Sequence, residues 1–155
     1  MLFILKIIFN KNKKIFFKSR KNVTITIKKK YFKKGERGVI ERTAQTITDV
    51  KVVKKGEYSQ PKEGNEYVVI KLTKENISNS IVQGGGLDYY QIETKDKKLI
   101  KPDAGIVEFG QFNFDDIPIG NKVDQTIVFE VPKGQVGTFN IIENGHKLAV
   151  YDIGF

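Results

Sequence analysis

From Gly35 onward the chain is a succession of short runs in which apolar and polar residues alternate, and no window of ten residues repeats its apolar positions at helical spacing. Period-two alternation places successive side chains on opposite faces of a strand. Residues 44–53 form the first such run, followed by turn chemistry at Gly56, Pro61 and Gly64. Residues 67–73 put Val68, Ile70 and Leu72 on one face and Tyr67, Val69, Lys71 and Thr73 on the other. Residues 87–94 read as a strand that Asp96-Lys97 turns into a short partner at 98–101, ended by Pro102. Phe109, Phe112 and Phe114 fall in a strand or an irregular edge segment. In 123–131, Val123, Ile127, Phe129 and Val131 share a face whose apolar series Gln125 interrupts. Residues 138–143 and 146–151 flank Asn144-Gly145, a strong hairpin signal because both central residues of a type I′ turn need positive φ.

About seven strands in this length most simply make two packed antiparallel sheets, so the expected fold is an all-β sandwich over residues 35–155. With no Cys and no Trp, its core has to be held by aliphatic, Phe and Tyr side chains. The missing cysteines exclude disulfides, thiolate metal sites and a cysteine nucleophile, and the single histidine excludes multi-histidine metal sites. A hydrophobic content of 39% with 29% charged residues is that of a globule rather than a disordered chain.

The net charge of +9 is unevenly distributed. Residues 1–34 hold twelve of the 27 basic residues and none of the 18 acidic ones, leaving a body with 15 basic against 18 acidic. The chain therefore divides into a basic N-terminal extension, 1–34, and a mildly acidic body, 35–155. The extension is no membrane span: its apolar start contains Lys6, and Lys11, Lys13 and Lys14 follow directly. Nor does it match an export signal, whose positive residues precede the apolar core. Its charge suits nucleic acid or an anionic membrane, but its apolar residues lie all around a helical wheel. Twenty-six of the 34 residues are Lys, Asn, Ile, Phe or Tyr, whose codons can be written entirely in A and T. That composition reads as translated AT-rich DNA before the true start, or as a degenerate leader. Only residues 23–27 in it alternate like a strand.

Few residues carry candidate chemistry. Gly84-Gly85-Gly86 has no Lys or Ser/Thr after it and no helix, so it reads as a flexible loop rather than a phosphate cradle. His146 reads as a solvated residue at a strand start. Asp115 and Asp116, with Asp103 or Asp124, lack the alternating oxygen ligands of a calcium loop. Tyr89, Tyr90, Phe109, Phe112 and Phe114 read as core, with a ligand groove as the alternative. Asn76-Ile77-Ser78 has the form of a glycosylation acceptor. No nucleophile, base and oxyanion donor come together, so the expectation is no enzyme, no catalytic residues, no metal and no cofactor.

Two stretches carry a family resemblance. One is Pro61-Lys62-Glu63-Gly64-Asn65-Glu66-Tyr67-Val68-Val69-Ile70 followed by Glu75-Asn76. The other is Ile117-Pro118-Ile119-Gly120 leading to Thr126-Ile127-Val128-Phe129-Glu130-Val131-Pro132-Lys133. Together with Gly35-Glu36 they resemble an uncharacterised immunoglobulin-like (telokin-like) domain family frequent in secreted lipoproteins of Gram-positive bacteria. Ile119 interrupts the family's Pro-Gly turn, Gln125 stands where a glycine is common, and the family's lipid-anchoring cysteine is missing. The resemblance implies an immunoglobulin-like sandwich, a location outside the cytoplasm and no catalytic residues. The expected function is thus a non-catalytic binding or interaction module of the bacterial cell envelope, its partner an unidentified protein or envelope ligand. The alternative is a binder of nucleic acid or anionic membrane acting through residues 1–34, whose binding weakens steeply with salt.

Overall fold

The computed structural model describes residues 30–155 and, ahead of them, the backbone of three short strands. The chain forms two compact units, Met1–Lys30 and Tyr31–Phe155. In the first, β1 (Ile7–Phe9), β2 (Ile15–Lys18) and β3 (Thr24–Thr26) make an antiparallel sheet with β2 in the middle. β3 falls within the alternating stretch 23–27. The rest of the reading of residues 1–29, as arm or leader, lies outside the described residues.

The second unit is a two-sheet sandwich. One sheet has the order β10-β7-β6-β5 and the other β4-β12-β11-β8-β9. The strands are β4 (Tyr31–Lys33), β5 (Gly38–Ile40), β6 (Thr43–Val53), β7 (Asn65–Asn76), β8 (Tyr90–Glu93), β9 (Leu99–Ile100), β10 (Lys122–Pro132), β11 (Thr138–Glu143) and β12 (His146–Asp152). Nine strands replace the expected seven or so because the edges carry very short ones. Residues Leu87–Tyr89 form a 3-10 turn rather than the start of a strand. Asn144 (φ 49°) and Gly145 (φ 78°) make the expected turn between β11 and β12.

The alternation dictates the core. Val68, Ile70 and Leu72 of β7 and Ile127, Phe129 and Val131 of β10 face Tyr90, Ile92, Phe139, Ile141, Ala149 and Tyr151 of the second sheet. Each of the Val, Ile, Leu and Phe side chains contributes roughly 1.5–3 kcal/mol by leaving water. Phe139 stacks on Tyr90 at 5.6 Å and meets Phe129 edge-on at 6.1 Å, filling the volume that a tryptophan or a disulfide occupies in other sandwiches.

Two departures from the alternation pattern have clear causes. Gln125 is buried on the core face, where its Oε1 accepts from Asn113 N–H (2.6 Å) and its Nε2 donates to Asn113 O (2.8 Å). It ties the loop 101–121 to β10. That loop also bonds the free edge of β10, through Asp103 N to Val128 O and Thr126 N to Gln111 O. Its Ile106 and Phe109 cover Tyr67, Val69 and Val128 on the sheet's outer face. An edge strand is thereby protected without another strand, so 109–114 forms none.

The second departure is β4. It pairs parallel with β12, Phe32 opposite Tyr151, making one edge of the sandwich parallel. Phe32 is buried and stacks on Tyr151 at 5.1 Å. The compact body therefore starts at Tyr31, and Tyr31–Lys33, in the basic segment by charge, belong to its sheet.

Glu108 holds the loop 101–121 against the β6–β7 connection. Its carboxylate accepts from Glu57 N–H (2.7 Å), Tyr58 N–H (3.0 Å) and the Ser59 hydroxyl. A Cβ at Gly56 would run into that carboxylate. The Ser59 and Tyr58 hydrogen bonds hold the Glu108 carboxyl below its ordinary value. A depressed folded pKa gives stability that is present above the ordinary glutamate value of about 4.3 and lost as pH falls through the folded value. The Glu57 and Tyr58 amide resonances should therefore shift together with a midpoint below about 4.3. The same titration should be missing from E108Q; an unchanged titration there would rule the clamp out.

Candidate functional site

At the end of the sandwich where β6 begins and β7 ends, the space between the sheets stays open as a pocket of about 220 Å³. Its floor follows from the phase of β7. Lys74 and Asn76 continue the series Val68, Ile70, Leu72, so two polar side chains point into the core side and are buried. Lys74 pairs across the sheet with Gln45, and Asn76 with Thr43, both also buried. Ile40, Val82, Ile141, Leu148 and Tyr89 form apolar walls, and Glu41, Arg42 and Glu143 stand at the mouth.

Lys74 is the unusual group. Its Nζ donates to Gly84 O at 2.9 Å, its one acceptor among the described residues. Burial lowers its pKa, because water no longer supports the ammonium. The glycine triplet makes this contact. A side chain at Gly84 would collide with the carbonyls of Phe114 and Asp115, and Gly85 has φ +86°, with a Cβ there coming within 3.5 Å of Lys74 Nζ. The loop is pinned by these contacts and by the Val82–Ile117 bridge on the way from β7 to the second sheet.

Around Lys74 the polar groups connect to one another. Gln45 Nε2 donates to Thr43 Oγ1 at 3.4 Å, the Tyr90 hydroxyl approaches Gln45 Oε1 at 3.5 Å, and Tyr151 Oη donates to Gln45 O at 2.8 Å. Burial pushes the Tyr90 and Tyr151 hydroxyls well above the usual tyrosine range, so both act as neutral donors. At the mouth, burial and then the neighbouring Glu41 carboxylate raise the Glu143 pKa. Arg42 is engaged elsewhere, on the Ser80 hydroxyl and Ile81 O.

A wider depression of about 400 Å³ lies at the opposite end of β6 and β7, lined by Lys54, residues 60–65 and Lys133. Its lysines are exposed, and no buried polar side chain faces it, so nothing there is organised for a ligand. A third, of about 280 Å³, lies under the loop 101–121 and is lined mainly by Ile106, Val107, Phe112 and Phe114.

The residues singled out in the sequence are scattered. His146, Asp115 and Asp116 are exposed. Asp103 closes its own turn on Gly105 N, and Asp124 accepts from Thr73. Among the described residues, no three His, Asp or Glu side chains gather as metal ligands, and no helix is long and apolar enough to cross a membrane. Of the aromatics, Tyr90 is core and Phe109 and Phe112 are half-buried, but Tyr89 and Phe114 are exposed. Asn76 is wholly buried with its amide fully hydrogen-bonded, so the folded chain cannot accept a glycan there.

The sequence profile of DUF4352, a domain of unknown function, matches residues 32–147. The chain belongs to this family. The match begins at Phe32, the β4 residue packed on Tyr151. No curated protein matches the DUF4352 chain in sequence. In fold it is similar to MPT63, a secreted protein of Mycobacterium tuberculosis, at a TM-score of 0.63 and 13% identity over 79% of this chain and 95% of that one. It is also similar to the yjhA protein of Bacillus subtilis, at 0.63 and 19% identity over 79% and 99%. A third is the candidate lipoprotein ycdA of Bacillus subtilis, at 0.57 and 12% identity over 74% and 36%. At these identities the likeness is one of fold, and the fold is the β-sandwich.

Proposed function

We propose that this DUF4352 domain is a non-catalytic binding module of the bacterial cell envelope or exterior, and that the pocket over Lys74 is its ligand site. The observation that carries the reading is Lys74 itself: a lysine in phase with the core of β7, buried beside Gln45, with one acceptor for three donor hydrogens. Burying a charge costs stability unless it is paired, so an ammonium kept there suits a site whose pairing is completed by a ligand. The secreted and lipoprotein-like fold relatives support a place outside the cytoplasm, as does the telokin-like resemblance of its two motifs. The ligand class is a small molecule or end group with an acceptor for Lys74. Thr43, Gln45 and Tyr90 act as donors and acceptors around it, with no nucleophile–base pair among them.

Lys74→Met tests this. Methionine keeps the length of the side chain and removes the charge, so the variant should melt no lower than the parent near neutral pH while losing ligand-induced stabilisation. The comparison has a pH sign. A lysine whose folded pKa is depressed costs stability while it is charged, and that cost disappears as pH rises through the folded value toward about 10.4. The parent should therefore gain on K74M in that interval, as read by thermal melts. Ligand-induced stabilisation that persists in K74M would reject the site.

A further inference from the structure

The pocket holds opposite charges at its two depths. Lys74 is on the floor, and Glu41 and Glu143 stand at the mouth. No opposite charge meets either group within the protein: Lys74 meets only a carbonyl, and Glu41 and Glu143, which share a hydrogen bond with each other, take part in no ion pair among the described residues. Arg42, the nearest cation by sequence to Glu41, is directed to the loop at Ser80 and Ile81. A ligand that is only an anion would satisfy Lys74 but pass the acidic Glu41–Glu143 pair. A ligand that is only a cation would satisfy the mouth and leave Lys74 buried and unpaired, the costlier omission.

Building on the reading of this pocket as the ligand site, we infer that its ligand is a small zwitterion, a free α-amino acid with a short apolar side chain. Its carboxylate sits on Lys74, its ammonium between Glu41 and Glu143, and its side chain against Ile40, Val82, Ile141 and Leu148. A volume of about 220 Å³ suits a molecule of this size. The hydrogen bonds to the carboxylate are charge-assisted, the stronger kind, and burial in the pocket shields them from water.

Titration calorimetry on the full chain with valine, isobutyrate and isobutylamine separates the contributions, since the last two carry the same branched carbon skeleton with one charge each. Valine should bind at least tenfold more tightly than either. K74M should remove valine binding. The rim variant E41Q/E143Q, whose changes lie at the mouth and leave the core intact, should weaken valine and spare or improve isobutyrate. Isobutyrate binding as tightly as valine, with both lost in K74M, would overturn the zwitterion while leaving the pocket as the site. Valine binding unchanged in K74M, or no binding by any of the three, would overturn the zwitterion and count against the pocket as well.

Discussion

Asn76→Ala should destabilise the body by about 3–5 kcal/mol, more than any exposed substitution in the chain. Asn76 ends β7 on its core face with no accessible surface. Its Nδ2 donates to Ser80 O and Ile117 O, both at 2.8 Å, and its Oδ1 accepts from Ser78 N–H at 2.9 Å and Ser78 Oγ at 2.8 Å. The Ser78 contacts form an Asx turn, which starts the crossing from one sheet to the other. Alanine removes all four of these hydrogen bonds, each worth about 1 kcal/mol net, leaves the half-buried Ser78 amide without its acceptor and leaves the Ile117 carbonyl with Val82 N–H alone. Asn76→Asp keeps the acceptor but turns a carboxylate oxygen toward two carbonyls, so it should be no better. Urea denaturation of the full chain measures both; a loss under about 1 kcal/mol for the alanine variant would show that the crossing is held elsewhere.

The second large effect concerns where the body begins. Phe32→Ala should cost about 3–5 kcal/mol, the usual range for a buried phenylalanine. Its ring lies against Tyr151 and over Gly38, where a Cβ would meet both the Tyr151 hydroxyl and the Phe32 ring. Tyr151 in turn donates to the Gln45 carbonyl, so the loss reaches the wall of the pocket. Were Phe32 part of a dispensable extension, as its basic surroundings suggest, the change would fall within about 0.5 kcal/mol. Equilibrium unfolding distinguishes the two outcomes.

Much of the sandwich was legible because alternation is a direct readout of one wet and one dry face. β6, β7, β10, β11 and β12 follow it, and Asn144-Gly145 states its turn outright. β4 was not legible. In Lys-Lys-Tyr-Phe-Lys-Lys a single residue, Phe32, reaches the core, and a three-residue strand in parallel pairing leaves no periodic trace. The resemblance found in 61–76 and 117–133 pointed correctly to an uncharacterised β-sandwich family, because those stretches contain β7 and β10, the central strand and its edge partner.

The pocket was hidden for a related reason. The apolar series on β7 stops at Leu72, and Lys74 and Asn76 look like a strand running out into solvent. The usable signal was phase: both keep the even-numbered register of Val68, Ile70 and Leu72. Gln125 gives the same lesson on β10, where the polar residue that breaks an apolar face is the one that fastens a loop. What no periodicity reports is the partner at long range, and the Gly84 carbonyl reaches Lys74 only because Gly84 can approach Phe114 and Asp115.

A buried ammonium at the base of a ligand pocket is the state of Lys74 on which the proposed function rests. Nitrogen-15 resonance of the lysine side chains in the full chain, with Lys74 identified by its disappearance in K74M, measures this directly. The titration midpoint of Lys74 should lie below the ordinary lysine value of about 10.4 and move upward when valine is added. A Lys74 signal that titrates with the exposed lysines, and that valine leaves unmoved, would contradict it.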